Sequence, residues 1–403
     1  MKACQKTKKI FCLQQAKKNN FLNNYNDIHS TPEAQKKERR MSWFSKTVLW
    51  LNYFAVISLL LSYLSPYVSP ANFWPIAFLG LGFSYLLLLN FLFVIYWLLR
   101  RRIQIILPLI AILIGINRLP SVFKINFGSE EKISEKAFEV LSWNVRLFDL
   151  YNWSHNKETK NKMFDFLKSE NASILCLQEF FNGDSNYFPT LDTMQKFLNS
   201  KNIHREYTLT LRNYQHFGIA TFSTFPIVNK GEITFETKTN NICIYTDVVI
   251  GNDTVRIYNM HLQSIQMGYA DYKFVENLEK NKEVNEIEGS KNILKRLKRA
   301  FIKRVPQAEM VADHIRKCKY PVIVCGDFND TPFSYTYNTV KGNLYDSFLE
   351  CGSGFGKTYN GIFPSFRIDY ILHSENLKVC NYFTHPENYS DHYPISCFFK
   401  LGK

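Results

Sequence analysis

A long apolar segment near the N-terminus constrains the fold of this chain more than any other feature. Residues 47–123 carry four charges, all of them arginines. The stretches 47–64 and 73–99 contain no charge, and each is long enough for a membrane-spanning helix, which needs about 20 residues. The buried helices of a soluble core seldom run so far without Lys, Asp or Glu. We therefore expect N-terminal transmembrane helices in residues 47–123.

A third apolar stretch leaves the number of membrane crossings open. Residues 103–116 are too short to span, unless the helix continues to Phe123 past Arg118. The triple arginine at 100–102 predicts a cytoplasmic loop before this stretch. If the third stretch crosses, the rest of the chain lies on the outer (periplasmic) side; if it re-enters, the rest is cytoplasmic. We expect a multi-pass protein of the cell membrane with two or three spans and its C-terminal domain outside.

The positive charge of the chain is concentrated in its N-terminal third. Residues 1–120 hold 15 Lys and Arg against 3 Asp and Glu, whereas residues 121–403 hold 34 against 32. A nearly neutral C-terminal part argues against a broad nucleic-acid-binding face. We expect residues 1–46 to be a basic, disordered extension, with Met1 or Met41 as the translation start.

Short apolar runs separated by polar turns begin near residue 137 and indicate a globular domain over residues 124–403. The predicted strands are Phe138–Asn144, Ile174–Gln178, Phe217–Phe222, Ile242–Ile250, Thr254–Met260, Pro321–Cys325, Ile368–Leu372 and Ile395–Phe399. The predicted helices are Asn161–Glu170, Thr190–Leu198 and Pro306–Cys318. This irregular alternation indicates an α/β domain, a mixed sheet layered with helices. The nine cysteines include no Cys-x-x-Cys pair, so we expect free thiols rather than a zinc site.

Polar residues stand at the ends of six of these apolar runs. They are Asn144, Glu179, His261, Asp327 with Asn329, Asp369, and Asp391 with His392. Each is a weak signal alone, because a carboxylate after a strand is usually solvated and a lone histidine is usually hydrogen-bonded in a core. In two stacked sheets, however, these strand ends could converge on one rim. Oxygen donors there suit Mg²⁺, and histidines beside carboxylates suit a site where phosphoryl oxygens gain charge.

The strand that ends at Asp327 gives the clearest local pattern. Gly326 would let the backbone turn where the strand ends. Asp327 and Asn329 are two residues apart, so in extended chain both would point the same way.

Seven short motifs follow one another along residues 137–401. They are WNVR at 143–146, LQEF at 177–180, GIATFSTFPI at 218–227, NMHL at 259–262, GDFND at 326–330, RIDYIL at 367–372 and SDHYPI at 390–395. In type and order they resemble the motifs of the endonuclease/exonuclease/phosphatase superfamily, the fold of deoxyribonuclease I. The resemblance implies a four-layered α/β sandwich, with two mixed β-sheets packed face to face and helices outside. It also implies that residues 124–403 are the catalytic domain of a metal-dependent phosphoric ester hydrolase.

The resemblance implies a metal side of the site. Glu179 resembles the principal Mg²⁺ ligand of the family. Asn144 resembles a residue close to both the metal and the substrate phosphate. Asp391 resembles a second carboxylate on the metal side.

The resemblance also implies catalytic roles for five residues. Asp327 resembles the residue that orients or deprotonates the attacking water, and Asn329 one that contacts a phosphoryl oxygen of the substrate. His392 resembles the histidine that polarises the phosphate, and Asp369 the carboxylate that orients this histidine. His261 resembles a histidine that some members place against the phosphate or the leaving group.

The substrate stays open, because the loops that fix the substrate in known members have no clear match here. We expect a membrane-anchored, Mg²⁺-dependent phosphoesterase, with Mn²⁺ as the alternative metal, that hydrolyses a phosphodiester or phosphomonoester. A lipid headgroup is the favoured substrate, and an endo- or exonuclease acting on DNA or RNA is the alternative. A catalytically silent binding domain is disfavoured, because every polar residue that the chemistry needs is present. The oligomeric state is not predicted.

A charged insertion at residues 268–305 bears on the substrate. Its second half, KNILKRLKRAFIKR at 291–304, contains seven basic residues and no acidic one. Apolar residues recur there every three or four positions, which predicts a helix with one apolar stripe, and Pro306 would open the next helix. Either the stripe packs on the domain and the basic face is solvated, or the basic face contacts anionic lipid headgroups.

Overall fold

The structure, a computed structural model, describes residues 42–126, 137–184, 188–198, 202–235, 239–266, 274, 286–361 and 366–402. Its α-helices are α1 (Trp43–Ser62), α2 (Pro70–Phe73), α3 (Pro75–Leu81), α4 (Phe83–Leu99), α5 (Ile106–Ile114), α6 (Thr159–Glu170), α7 (Thr190–Leu198), α8 (Glu286–Arg316), α9 (Tyr335–Lys341) and α10 (Ser347–Cys351). Its strands are β1 (Phe138–Asn144), β2 (Ile174–Gly183), β3 (Asn202–Leu211), β4 (Gln215–Ser223), β5 (Ile227–Ile233), β6 (Ile242–Ile250), β7 (Asp253–His261), β8 (Val322–Asp327), β9 (Tyr345–Asp346), β10 (Asp369–His373), β11 (Leu377–Thr384) and β12 (Ile395–Leu401).

The strands form two mixed sheets of six strands each. The first sheet has the order β11-β12-β1-β2-β4-β3, and the second has the order β5-β6-β7-β8-β10-β9. Each sheet contains one parallel pair, β1–β2 in the first and β7–β8 in the second. The other pairs within the described residues are antiparallel.

Apolar side chains fill three layers of this sandwich. Between the sheets, Val140 of β1 belongs to the same buried cluster as Ile323 of β8. The next residue of β1, Leu141, points the other way and packs with Met163 of α6, because side chains alternate along a strand. On the outer face of the second sheet, the buried cluster joins β7 to Val311 of α8. The two packed mixed sheets with helices outside, predicted from the sequence, are confirmed.

The N-terminal apolar region is broken into shorter helices than the sequence predicts. Within the described residues, α1 is the one helix long and apolar enough to cross a membrane. Helices α3 and α4 pass the same test only together, and they are bent by 67° at the break. Gly82 caps α3 at this break and ends the uninterrupted span predicted over residues 73–99.

The third apolar stretch forms a short helix rather than one that continues to Phe123. A 3₁₀ turn at Ile103–Ile105 leads into α5, and a second 3₁₀ helix, Ile116–Ser121, follows. Gly115 ends α5, with its N–H donating to the carbonyl of Ile112 at 3.1 Å. At about 1.5 Å per residue, α5 and the preceding turn cover roughly 18 Å, less than the thickness of a bilayer core. Arg118 donates to the hydroxyl of Tyr67 at 2.6 Å.

The apolar helices after Asn52 pack on the strand-rich part of the chain, in one compact unit. The ring of Phe83 in α4 stacks on Phe333, with 3.5 Å between ring centroids. Phe78 in α3 makes an edge contact with Phe301 in α8 at 5.2 Å. Most of the predicted N-terminal extension, residues 1–41, lies outside the described residues.

Helix α8 contains the basic segment of the insertion, and it differs from the prediction at Pro306. The helix continues through Pro306, which was expected to open a new helix. Pro306 is on the exposed face, where the carbonyl that loses its helical donor can bond to water. The predicted apolar stripe exists, and Leu297 and Phe301 pack with Ala77 of α3. Residues 267–273 and 275–285, the other part of the insertion, lie outside the described residues.

Candidate active site

The carboxyl ends of the two parallel strand pairs meet on one rim of the sandwich. Strand β1 ends at Asn144, which is in register with Gln178 of β2. Strand β7 ends at His261, in register with Asp327 at the end of β8, and Asp369 of β10 pairs with Asp327 from the other side. Nδ2 of Asn144 donates to Oδ2 of Asp327 at 3.1 Å, so this bond joins the two sheets. The structure brings these strand ends together as the sequence predicts.

Two backbone irregularities position the carboxylates on this rim. Gly326 has φ +136°, and a Cβ there would lie 2.0 Å from the carbonyl oxygen of Met260. Glycine is therefore required because β8 approaches β7 closely, and not because the chain turns, since β8 continues to Asp327. The pairing of β2 with β4 shifts register after Leu177, and Glu179 has φ +47°. Glu179 therefore lies at a bulge inside β2 rather than at its end.

Asp327 is buried, and both of its carboxylate oxygens accept hydrogen bonds. Oδ1 accepts from the backbone N–H of Asn329 at 2.8 Å, and Oδ2 accepts from the side chain of Asn329 at 3.0 Å. Nε2 of His261 and Nε2 of His392 each lie 3.7 Å from Oδ2. Burial raises the pKa of Asp327, although the charge of His392 opposes the shift. The carboxylate is thus a stronger base than an exposed aspartate.

Asn329 holds this arrangement in place. It lies in the left-handed region with φ +54°, which asparagine tolerates better than most residues. Its Nδ2 donates to Oδ2 of Asp327 and to the carbonyl of Leu262, each at 3.0 Å. Both hydrogens of this amide are engaged in this geometry, and the predicted contact of Asn329 with a phosphoryl oxygen stays a prediction. In this geometry Asn329 positions Asp327.

His392 is hydrogen-bonded to Asp369 through its other ring nitrogen. Nδ1 of His392 lies 2.9 Å from Oδ2 and 3.1 Å from Oδ1 of Asp369. Nε1 of Trp143 donates to the backbone carbonyl of His392 at 2.8 Å and holds the loop. Burial lowers the pKa of His392, but Asp369 and Asp327 outweigh it and the pKa lies well above its ordinary value. His392 is therefore cationic at neutral pH.

The pKa of His261 is shifted in the opposite direction to that of His392. Its Nε2 is buried and has no hydrogen bond to any described residue, and it lies 3.7 Å from Glu179 and 3.7 Å from Asp327. Burial lowers the pKa of His261, with Asp327 opposing the shift. A buried ring nitrogen without a partner is costly, so this atom marks a position suited to a ligand oxygen.

Glu179 and Asp391 provide the carboxylates on the other side of Asp327. Burial and the charge of Asp391 raise the pKa of Glu179 to about 7, against the lowering effects of His392 and of a hydrogen bond from Asn144. Oδ2 of Asp391 lies 3.5 Å from Nε of Arg146.

Arg304 is a site residue that the sequence did not reveal. It was expected on the basic face of α8, yet it is buried beneath the site. Its Nη1 donates to the carbonyls of Asn329 at 2.6 Å and Gln263 at 3.0 Å, and its Nε lies 3.2 Å from Oδ2 of Asp330. The available signal was spacing: Arg304 follows Phe301 by three residues, on the apolar stripe.

A cavity of about 310 Å³ opens at this rim. Its polar side is formed by Glu179, Asp327, Asn329, Arg304, Asp391 and His392. Its other side is formed by Leu81, Ile265, Leu297, Phe301, Phe366 and Ile368. The ring of Tyr359, which the sequence also did not reveal, lines the cavity and makes an edge contact with His392 at 5.3 Å. Five of the eight predicted site residues line this cavity: Glu179, Asp327, Asn329, Asp391 and His392. Asn144 and Asp369 hydrogen-bond to the lining residues Asp327 and His392, and Nε2 of His261 lies 3.7 Å from Glu179 and from Asp327.

Comparison with known proteins identifies the family. The profile of the Endonuclease/Exonuclease/phosphatase family matches residues 141–392. The chain belongs to this family. A second profile, described as a domain of unknown function, matches residues 45–122. No curated protein matches the chain.

Several solved structures are similar to this chain at low sequence identity. The human nocturnin catalytic domain with bound sulfate is 20% identical, with a TM-score of 0.48, over 66% of this chain and 93% of that one. A family member from Beutenbergia cavernae is 15% identical, with a TM-score of 0.47, over 66% of this chain and 72% of that one. One from Bacteroides vulgatus is 15% identical, with a TM-score of 0.47, over 66% of this chain and 99% of that one.

Membership of the endonuclease/exonuclease/phosphatase family makes this chain a metal-dependent phosphoric ester hydrolase, and its donor set fits a divalent metal. Asp327, Asp369 and His392 place donor atoms within 4.8 Å of one another. His392 and Asp369 are already bonded to each other there, which favours a proton-handling role. Glu179 and Asp391 do not form such a pair with each other. Their negative charges repel, and a cation between them would relieve this repulsion. These two carboxylates could hold a metal together with the amide oxygen of Asn144, which accepts from the N–H of Arg146 at 3.1 Å and keeps a second lone pair.

Proposed function

We propose that this protein hydrolyses a phosphodiester or phosphomonoester with Mg²⁺, Mn²⁺ being the alternative metal. One observation carries the proposal: the imidazoles of His261 and His392 each place Nε2 3.7 Å from the same oxygen of Asp327. A buried carboxylate between a neutral and a cationic imidazole can hold a water next to a phosphoryl oxygen.

Glu179, Asp391 and Asn144 would hold the metal, which would supply positive charge to the phosphoryl oxygens. Asp327 accepts the proton of the attacking water, because its raised pKa makes it a competent base. The cationic His392, oriented by Asp369, donates to a phosphoryl oxygen that gains charge as the bond to the leaving group breaks. Nε2 of His261 lies across Asp327 from it, in position for the phosphate or the leaving oxygen.

The test is hydrolysis by the full chain in detergent with Mg²⁺ or Mn²⁺. The substrates are bis(4-nitrophenyl) phosphate, sphingomyelin and other phospholipids, phosphoinositides, DNA and RNA. Turnover that a chelator abolishes and added metal restores is expected for at least one substrate. No turnover of any substrate by folded protein with either metal would refute the proposal. Preferred cleavage of DNA or RNA would make the protein a nuclease.

We also propose that the protein is anchored in the cell membrane by several spans, with the catalytic domain on the outer side. This side requires residues 103–123 to cross as a whole, since α5 and the turn before it are too short alone. The N-terminal end of α4 supports this side, because Phe83 packs on Phe333 near the site. The triple arginine at 100–102 follows the other end of α4, about 25 Å away at 1.5 Å per residue, and favours the cytoplasm there. A reporter that is active only in the cytoplasm, fused after Lys403, should stay dark. A bright reporter would place the domain in the cytoplasm.

The exposed basic residues of α8 could contact either a membrane surface or a nucleic acid. They favour a lipid substrate if they contact the membrane. Lys295 and Arg299 are exposed, whereas Lys298 lies over the ring of Trp74 at 4.5 Å. We propose that Lys295 and Arg299 face anionic headgroups. Replacing both with Gln should reduce the stimulation of turnover by anionic phospholipid and leave DNA binding unchanged. Arg316→Gln with Lys317→Gln, at the far end of α8, is the matched control. Loss of DNA binding alone would contradict the proposal.

A further inference from the structure

We propose that a groove beside the catalytic cavity binds the hydrocarbon chain of an amphiphilic phosphate ester. This inference rests on the proposed function, since it assigns a substrate class to the same site. It would place the phosphate between His261 and His392 and the chain along α4.

The catalytic cavity itself is divided into a polar and an apolar side. The carboxylates and His392 form the polar side, whereas Leu81 of α3 and Leu297 and Phe301 of α8 face them from the other. A phosphate group and a metal ion would make no favourable contact with the apolar side chains. An ester whose leaving group or remaining group is hydrocarbon would cover it.

A second cavity of about 720 Å³ continues from the apolar side. Leu81, Thr331 and Phe366 line both cavities, so the two spaces adjoin. The remaining walls of the second cavity include Ser84, Leu87, Leu88, Phe91, Ile112, Leu119, Val122, Phe333 and Phe355. The groove therefore runs from the site along α4, between it and the segment around α5.

The chemistry of the groove selects a hydrocarbon chain over other occupants. Among the described residues that line it, the one charged residue, Arg367, is buried and bonded to Asp346 at 2.7 Å. A nucleic acid or a sugar headgroup would find no exposed charge among these lining residues. Leu88 and Phe91 are 55% and 53% exposed, on a helix that we propose lies in the bilayer. A lipid chain could thus enter the groove sideways while its phosphate stays at the site.

Leu88 and Leu89 offer a matched pair of variants. Leu88 lines the groove, whereas its neighbour Leu89 lines neither cavity and is also exposed. Leu88→Trp should fill the groove, and Leu89→Trp adds the same bulk outside it. Ser84→Trp is a second variant that fills the groove from one turn away along α4.

The experiment measures kcat/KM of the full chain in neutral phospholipid nanodiscs for the methyl, butyl and octyl esters of 4-nitrophenyl phosphate. In the unaltered protein, kcat/KM should rise roughly tenfold or more from methyl to octyl, because each buried methylene adds binding energy. Leu88→Trp should reduce that rise to about twofold and keep methyl ester hydrolysis, while Leu89→Trp retains the rise. Partitioning of the esters into the bilayer is the same for all variants, so the comparison isolates the groove.

Four results would overturn the inference, and they are distinguishable. Methyl ester hydrolysis without any rise towards octyl would remove the chain groove and leave the proposed function standing. An equal rise in Leu88→Trp, Ser84→Trp and Leu89→Trp would place the chain elsewhere. No hydrolysis of the three esters, with turnover of another substrate of the panel, would remove the chain groove alone, and no turnover of any substrate with Mg²⁺ or Mn²⁺ would remove both proposals. If Leu88→Trp also loses methyl ester hydrolysis, Ser84→Trp is the deciding variant. Methyl ester hydrolysis without the rise towards octyl in Ser84→Trp would show a blocked groove, and would attribute the loss in Leu88→Trp to a folding defect.

Discussion

Replacing Arg304 by methionine should destabilise the protein through the loop that carries Asn329. Arg304 is 1% exposed and pairs with Asp330, which is 5% exposed. Its Nη1 also donates to the carbonyls of Asn329 and Gln263. Methionine fills similar space but donates no hydrogen bond, so Asp330 would be left as a buried charge without its partner.

The size of the effect follows from these contacts. Removing one partner of a buried ion pair costs about 3–5 kcal/mol, since the remaining charge stays desolvated. For a domain of this size each kcal/mol lowers the melting temperature by about 2–4 °C, so Arg304→Met should lower it by roughly 6–20 °C. Adding Asp330→Asn removes the unpaired charge but keeps an oxygen for the N–H of Thr331, which Asp330 accepts at 3.1 Å. The double variant should recover about 1–3 kcal/mol, the usual coupling between contacting residues.

Thermal unfolding of the full chain in detergent, followed by tryptophan fluorescence, measures the effect. Trp143 is a reporter next to the site, because its Nε1 bonds to His392. Lys303→Met removes the adjacent charge from a partly exposed position and should change little. The reasoning is refuted if the single and double variants melt at the same temperature, because an unpaired Asp330 charge would then not be the cause.

Two further predictions concern the chemistry. Glu179→Gln should abolish hydrolysis and weaken Mg²⁺ binding without loss of the fold, because it removes a carboxylate from the donor set. Titration of turnover with Mg²⁺ measures this, and unchanged metal dependence at full activity would exclude Glu179 from the site. Asp327→Asn and His392→Ala should each lower turnover by roughly a thousandfold, the scale of one strong transition-state contact, and the double variant should lose far less than the product. Small, independent effects on turnover would contradict a shared phosphoryl group.

The strands that were predicted from the sequence lie inside the two sheets, whereas those that were not predicted lie at the edges. Strands β1 and β6 have the predicted bounds, because both are largely apolar and almost fully buried inside a sheet. The four strands without a prediction, β3, β5, β9 and β11, are the four edges of the two sheets. An edge strand has a neighbour on one side only and is less buried, so its sequence lacks the apolar run that marks an inner strand.

Some residues of the site could be predicted from the sequence around them, and others depend on contacts with residues that are distant in the sequence. Asp327 and His261 close apolar strands, so their positions follow from the strand pattern. The role of Arg304 depends on Asp330 and on Asn329, 25 positions away, and no local pattern reports that contact. The prediction that Pro306 opens a new helix was wrong for a related reason. The local preference of proline does not report that its position in the fold is exposed, where the helix can continue through it.

The contacts between α3, α4 and the strand-rich part also bear on how the enzyme must be studied. Removing residues 1–123 would uncover Phe333, which is 3% exposed beneath Phe83, and Phe301, which is 2% exposed beneath Phe78. Residues 124–403 alone should therefore bind a hydrophobic dye such as ANS and melt at a lower temperature than the full chain. The shortened chain would also lose Leu81 from the apolar side of the cavity. If it melts at the same temperature and binds no dye, the apolar helices do not stabilise the catalytic domain, and the groove along α4 would lose its structural basis.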